Sequence, residues 1–220
     1  SHRPKLKCPF EKEHLDALRV ISKNQRGRPS WWVQVVPNKF PAFTGGACPP
    51  VQNSGPYQWL DGIGHHEVIV TRDHKRNIAQ MSAEETALIL QAMQERYALA
   101  AKDECIKYIS IFQNHGKTAG ASISHPHFQL MAIPVIPPDI SRSINGSNRY
   151  YDENRKCVHC AMLEYSRQDR QRIVYENEQF LAEAPFASKT AFEIKIFPKV
   201  HSPHFEIIDM EERKFLADCL

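Results

Sequence analysis

The sequence predicts an α+β fold, with antiparallel sheet backed by helices, laid down as two related copies of one unit of which the second is incomplete. An internal repeat carries most of this. With His74 set on His201, an offset of 127 residues, Ile78 meets Phe205, Met81 meets Ile208, Ser82 meets Asp209, Glu85 meets Glu212 and Leu88 meets Phe215. Each His follows a strand-like segment, 66–71 and 192–197, and precedes a capping box, Ser82-x-x-Glu85 and Asp209-x-x-Glu212. In such a box the cap oxygen and the N3 carboxylate satisfy backbone donors that a helix start leaves free. Short strands with few intervening helices, at hairpin-like spacing, favour antiparallel pairing.

The elements follow in order. Residues 32–36 are a strand ended by Pro37-Asn38, and 45–64, rich in Gly and Pro, are a long loop inserted relative to the second copy. The helix from about Ala83 to Ala101 places Leu88, Ala92 and Leu99 on one stripe. A strand at 106–112 feeds a loop at Asn114, and the apolar run 130–133 is a buried strand. Pro134 to Pro138 leave the sheet, and the polar stretch 141–154 carries the chain onward. The expected organisation is 1–150 for the first copy and 151–220 for the start of the second. The second-copy counterpart of His125 would fall beyond Leu220, so either the chain is a piece of a longer one or its second half is shortened. Ser1-His2-Arg3-Pro4 resembles the end of an opening strand.

Chemistry concentrates in Ser124-His125-Pro126-His127-Phe128-Gln129, preceded by the small-residue loop Asn114 to Ser122. Pro126 fixes its own φ and biases His125 toward extended backbone. Alternate side chains of an extended segment share a face, so His125, His127 and Gln129 project one way and Phe128 the other. Two imidazoles and an amide beside a loop with free N–H groups suit a phosphate. One imidazole can attack phosphorus, the other can hold a metal, and the amide can hydrogen-bond a phosphoryl oxygen.

This segment resembles the active-site signature of the galactose-1-phosphate uridylyltransferase family, a branch of the histidine-triad superfamily: a Gly-x-Ser loop leading to His-Pro-His-x-Gln. Cys8-Pro9-Phe10, Pro37-Asn38-Lys39-Phe40-Pro41-Ala42, Asp73-His74 and Asn114 stand in the family's order. The resemblance implies a histidine-triad-like fold, with His127 as the nucleophile that becomes uridylylated, His125 on the zinc side and Gln129 on the transferred phosphoryl group. It further implies that Asn38 and Asn114 contact the nucleotide, and that the enzyme is a homodimer moving UMP between hexose 1-phosphates by ping-pong kinetics. Gly120, Ala121 and Ser122 would offer amides to the phosphoryl oxygens. Phe128 replaces a small residue, but points away from the His face. Relatives with similar motifs act on adenylyl donors, so an ADP-sugar or dinucleoside-polyphosphate phosphorylase is an alternative. A zinc-stabilised binding protein without activity is another.

Cys157-x-x-Cys160 with His201 has zinc spacing, two thiolates and an imidazole, with a fourth ligand expected past Leu220. The equivalent set in the first copy is Cys8, Glu11, His74 and His125, where relatives carry Cys at the position of Glu11. Carboxylate oxygen also binds zinc. His2, His14, His65, His66, His159 and His204 are read as bystanders, and Cys48, Cys105 and Cys219 as ordinary thiols. A net charge of +3 from 28 basic and 25 acidic residues, with no Lys/Arg run beyond two, leaves no nucleic-acid footprint. No apolar stretch nears the roughly 18 residues of a membrane span and no signal peptide opens the chain, so a cytoplasmic protein without membrane partners is expected.

Overall fold

The computed structural model describes residues 8–11, 16–25 and 28–220; His2, His14 and the segment Ser1 to Pro4 lie outside them. Contacts divide the chain into two compact units. One holds the described residues up to Met81 together with Leu88–Ile136, and the other holds Ser82–Ala87 and Pro137–Leu220.

The first unit begins with β1 (Arg19–Gln25) and β2 (Arg28–Pro37). Within the Gly/Pro-rich insertion a small hairpin forms from β3 (Gln52–Ser54) and β4 (Tyr57–Trp59). Then come β5 (His65–Thr71), helix α1 (Ala83–Ala100), β6 (Tyr108–Phe112) and β7 (His127–Ile133). Five strands make one antiparallel sheet in the order β1-β2-β5-β7-β6.

Register decides which side chains share a face, because residues directly opposite in an antiparallel pair project to the same side. Val70 lies opposite His127, Val68 opposite Gln129, and His66 opposite Met131. The His127–Gln129 face is therefore the one where Val36, Val68 and Val70 pack with Cys8 and Phe10, Ile123 leaning on them. On the other face Glu67, which is 5% exposed, receives Arg96 of α1, Nε donating to Oε2 at 2.8 Å. A second ion pair joins Arg19 of β1 to Glu95 of the same helix. The buried stripe of α1 runs through Ile89, Ala92, Met93 and Ala100. Leu99, expected on it, is 49% exposed, although seven residues from Ala92 bring it back to nearly the same side of the helix.

The second unit contains α2 (Pro138–Asn154), α3 (Val158–Asp169), β8 (Ile173–Glu176), β9 (Phe180–Glu183), β10 (Lys195–Pro198) and α4 (Met210–Asp218). Its sheet runs β10-β9-β8, antiparallel throughout. That is the pairing order of β5-β2-β1. After each last strand stands a 3-10 turn, Ile78–Gln80 and Phe205–Ile207, then a helix starting at Ala83 or Met210, at the same 127-residue offset. Both capping boxes form: Glu85 N–H donates to Ser82 Oγ at 3.3 Å, and Glu212 N–H to Asp209 Oδ1 at 2.8 Å.

Three expectations are corrected. The stretch 141–154 is not a polar connection but most of α2: Pro138 opens it where no N–H is needed, Asp139 favours its first turn, and Ile140, Ile144 and Tyr151 line one side of a polar helix. The strand expected at 192–197 starts only at Lys195, since Phe192 adopts a left-handed φ of 62°. Cys48 and Cys105 form a disulfide with Cα atoms 5.3 Å apart, which ties the 45–64 insertion to the segment before β6. Among the described residues no helix is long and apolar enough to cross a membrane.

Candidate active site

Strand β7 begins at His127, so alternation along the strand fixes His127 and Gln129, while His125 is held by the contacts of the preceding loop. The His127 ring is set by one hydrogen bond. Its Nδ1 lies 2.8 Å from the backbone carbonyl of His125. A carbonyl only accepts, so Nδ1 carries the proton and Nε2 keeps its lone pair. In the neutral ring held this way, Nε2 is the nitrogen that presents a nucleophilic lone pair. Phe10 packs against both rings, its centroid 5.4 Å from that of His127 and 5.7 Å from that of His125.

His125 is fully buried and pinned in the opposite sense. Its Nε2 donates to the Thr71 carbonyl at 2.7 Å, which leaves the Nδ1 lone pair facing Cys8 Sγ at 3.5 Å. Burial pushes its pKa down against the pull of the Thr71 carbonyl, so the ring is neutral at pH 7. A neutral imidazole whose second nitrogen donates to a carbonyl is how metal-ligating histidines are oriented.

Around that lone pair, the ligand atoms of Cys8, Glu11, His74 and His125 lie within 4.8 Å of one another. Glu11 Oε1 and His74 Nδ1 are in direct contact and buried, yet neither is satisfied by a hydrogen bond. Two orphaned ligand atoms, a thiol and an oriented imidazole fit a divalent metal such as zinc. In the second unit Cys157, Cys160 and His201 gather likewise within 4.8 Å, with Cys160 Sγ 3.2 Å from His201 Nδ1. Cys157 caps α3, and backbone N–H groups of Cys160 and His159 hold its thiol below the ordinary value, the direction metal binding requires. The sequence thus names the residues that gather in both clusters.

A cavity of about 330 Å³, reaching to Pro126 just before His127, is lined by Asn114, His115, Gly116, Lys117, Ala121, Ser122 and the 123–126 segment. The loop closes through a 3-10 turn, Lys117–Ala119, that ends on Gly120 at φ 82°, a left-handed conformation that favours glycine. The expectation of three free amides is not met. Gly120 N–H donates to Lys117 O at 3.0 Å and Ala121 N–H to Gly116 O at 3.1 Å. Ser122 is left to offer donors on the cavity wall. Lys117 brings a cation to that wall, and its signal in the sequence is a lysine inside a Gly/Ala/Ser loop.

Gln129 and Asn38 meet through a residue taken for a bystander. His66 Nε2 lies 2.9 Å from Gln129 Oε1 and 3.0 Å from Asn38 Nδ2, and Ala42 N–H donates to its Nδ1 at 3.0 Å. His66 sits on the Gln129 face one pair along the strand, a placement visible only once the β5–β7 register is known. Asn114, by contrast, stands on the cavity wall. Of the other histidines set aside, His65 pairs with Asp103 and His204 with Glu206, outside both clusters.

Comparison with known proteins agrees with this geometry. Residues 28–137 match the family model described as galactose-1-phosphate uridyl transferase, N-terminal domain. The chain is 33% identical over 209 residues to an ADP-glucose phosphorylase of Arabidopsis thaliana, covering 92% of this chain and 57% of that protein. It is 34% identical over 186 residues to a galactose-1-phosphate uridylyltransferase of Thermotoga maritima, covering 83% of this chain and 58% of that protein. The crystal structure of an ADP-glucose phosphorylase from Arabidopsis thaliana with bound ADP-glucose superposes with a TM-score of 0.75 at 30% identity, over 87% of this chain and 58% of that one. The chain thus spans a little over half the length of these relatives, and it belongs to the galactose-1-phosphate uridylyltransferase family.

Proposed function

We propose that this protein transfers a nucleotidyl group between sugar phosphates through a covalent intermediate on His127, with UDP-hexose as donor and a hexose 1-phosphate as acceptor. The observation that carries the reading is the bond from His127 Nδ1 to the His125 carbonyl, which leaves Nε2 as the free nucleophile. Nε2 attacks the α-phosphorus, an N–P bond forms, and the P–O bond to the departing hexose 1-phosphate breaks. An oxygen of the incoming hexose 1-phosphate then attacks phosphorus, and the N–P bond breaks to restore the imidazole. Such transfers gain chiefly from positioning and from neutralising charge on phosphoryl oxygens. Gln129, Ser122 and Lys117 supply donors and a cation for that, and Asn38 and Asn114 would hold the nucleotide. Gln129 cannot protonate a leaving group, which favours transfer over hydrolysis.

Zinc, when bound at Cys157, Cys160 and His201, or at Cys8, Glu11, His74 and His125, would serve as a structural crosslink. Replacing both Cys157 and Cys160 by serine should lower bound zinc by about one equivalent per chain, read by elemental analysis. Unchanged zinc content would remove that site. We read residues 1–150 as the copy with the nucleophile and 151–220 as the start of the second, and the assembly as a homodimer.

A second reading rests on the match over 92% of the chain to an ADP-glucose phosphorylase: an adenylyl donor, with inorganic phosphate discharging the intermediate. Measuring kcat/KM for UDP-glucose and ADP-glucose on the intact protein separates the two. The expected result is a tenfold or greater preference for the uridylyl donor, because a pocket matched to one base leaves polar groups unpaired against the other. The reverse preference, with discharge by phosphate alone, moves the protein to the second reading and keeps His127 in its role.

A further inference from the structure

We infer that His66 is a positioning residue that fixes which end of the Gln129 carboxamide faces the reacting phosphoryl group, an inference that rests on the nucleotidyl-transfer reading for its kinetic consequence. The argument starts from a donor that cannot change. Ala42 N–H is backbone, and it points at His66 Nδ1 from 3.0 Å. Nδ1 must accept, so the proton of the neutral ring sits on Nε2. That N–H has one suitable acceptor, Gln129 Oε1 at 2.9 Å. The carboxamide is thereby locked with oxygen toward His66 and NH2 turned away. Among the described residues that NH2 has no partner, and it lies on the face of β7 that also presents His127.

The lock matters because an amide can turn over at little cost. With its oxygen presented instead, Gln129 would set a partial negative charge against a phosphoryl group gaining negative charge. A preorganised donor needs its orientation settled before the reaction, and His66 supplies that. The same logic orients Asn38. Its Oδ1 accepts from Phe40 N–H at 3.0 Å, so Nδ2 is the end that stands 3.0 Å from His66 Nε2. With Nε2–H committed as a donor to Gln129, the Asn38 NH2 finds no acceptor on this ring. Two backbone N–H groups, that of Ala42 through the His66 ring and that of Phe40 directly, thus set which end of each amide is the donor.

The test combines a chemical and a kinetic readout on the intact protein. Two-bond 15N–1H correlations of imidazole-labelled protein should report His66 as the Nε2–H tautomer; the Nδ1–H tautomer would overturn the inference. In nucleotidylation by labelled UDP-glucose, His66→Phe should lower kcat by roughly 10- to 100-fold, short of the 10²–10³ that losing a positioned donor outright costs, with KM within about threefold. His66→Gln places an N–H near the Nε2 position and should recover most of the rate. In a Gln129→Ala background His66→Phe should cost less than about threefold more, since a residue acting only through Gln129 has nothing left to act on. Full additivity of the two losses, or no rescue by His66→Gln, would show a merely structural role. If wild type takes up no label while His66 is the Nε2–H tautomer and His66→Phe shifts the Gln129 side-chain amide resonances, the nucleotidyl reading fails and the positioning stands.

Discussion

Replacing His127 by asparagine is expected to abolish acid-labile labelling of the protein by a nucleotide sugar and to lower turnover by about 10⁴- to 10⁶-fold, the range for loss of a covalent nucleophile. The size of the effect follows from geometry. The His125 carbonyl commits Nδ1, so the whole reactive capacity of the ring is at Nε2, and the two nearest imidazoles among the described residues are otherwise engaged. His66 is engaged at both nitrogens, and His125 donates from Nε2 to Thr71. Asparagine keeps a side-chain N–H near the Nδ1 position, so the fold should survive and Tm should change little. Accumulation of labelled His127→Asn protein would place the nucleophile elsewhere.

The largest expected loss of stability comes from Gly64→Ala, at a residue with no part in the chemistry. A Cβ at this position would lie 2.2 Å from the Ala132 carbonyl oxygen and 3.4 Å from Phe43 Cβ, on a backbone with φ of 156°. The oxygen belongs to β7, whose position is fixed on both sides by β5 and β6, so it cannot retreat. Relief has to come from shifting the start of β5, which also carries His65 and His66. A cost of about 3 kcal/mol or more follows, or a fall in Tm of roughly 6–12 °C for a chain this size. Thermal unfolding within about 2 °C of wild type would mean that the approach relaxes more easily than the packing implies.

What the sequence makes legible is chemistry confined to short stretches. His127-x-Gln129 fits within one strand and Cys157-x-x-Cys160 within one turn, where chain geometry alone puts the groups together, and His125 is legible as the close neighbour of His127 although loop contacts place it. The repeat is legible for a related reason: a capping box and a strand before a His are local patterns, and their recurrence at one offset is countable. Features that depend on pairing between distant segments are not legible. The Cys48–Cys105 bridge spans 57 residues with no spacing signal, and His66 reaches Gln129 only through the β5–β7 register. Helix α2 was hidden for another reason. Its polarity resembles that of a connection, and a surface helix with a thin apolar stripe differs from a loop only by its Pro start and its periodicity. The committed amides of Gly120 and Ala121 could not be foreseen either, because a small-residue loop does not announce which of its N–H groups it will use on itself.

His125 belongs to two sites at once. Its ring faces the Cys8–Glu11–His74 cluster, and its main-chain oxygen decides where the proton sits on His127. Pro126 stands between the two imidazoles with its own φ fixed. A displacement of the His125 backbone would reach His127 as a tilted or lengthened carbonyl contact. Oxidation of Cys8, in contact with the His125 ring, is one change in the cluster that could shift that backbone. In this chain one residue faces the buried cluster with its side chain and the neighbouring imidazole with its main chain, so the two places share a hinge.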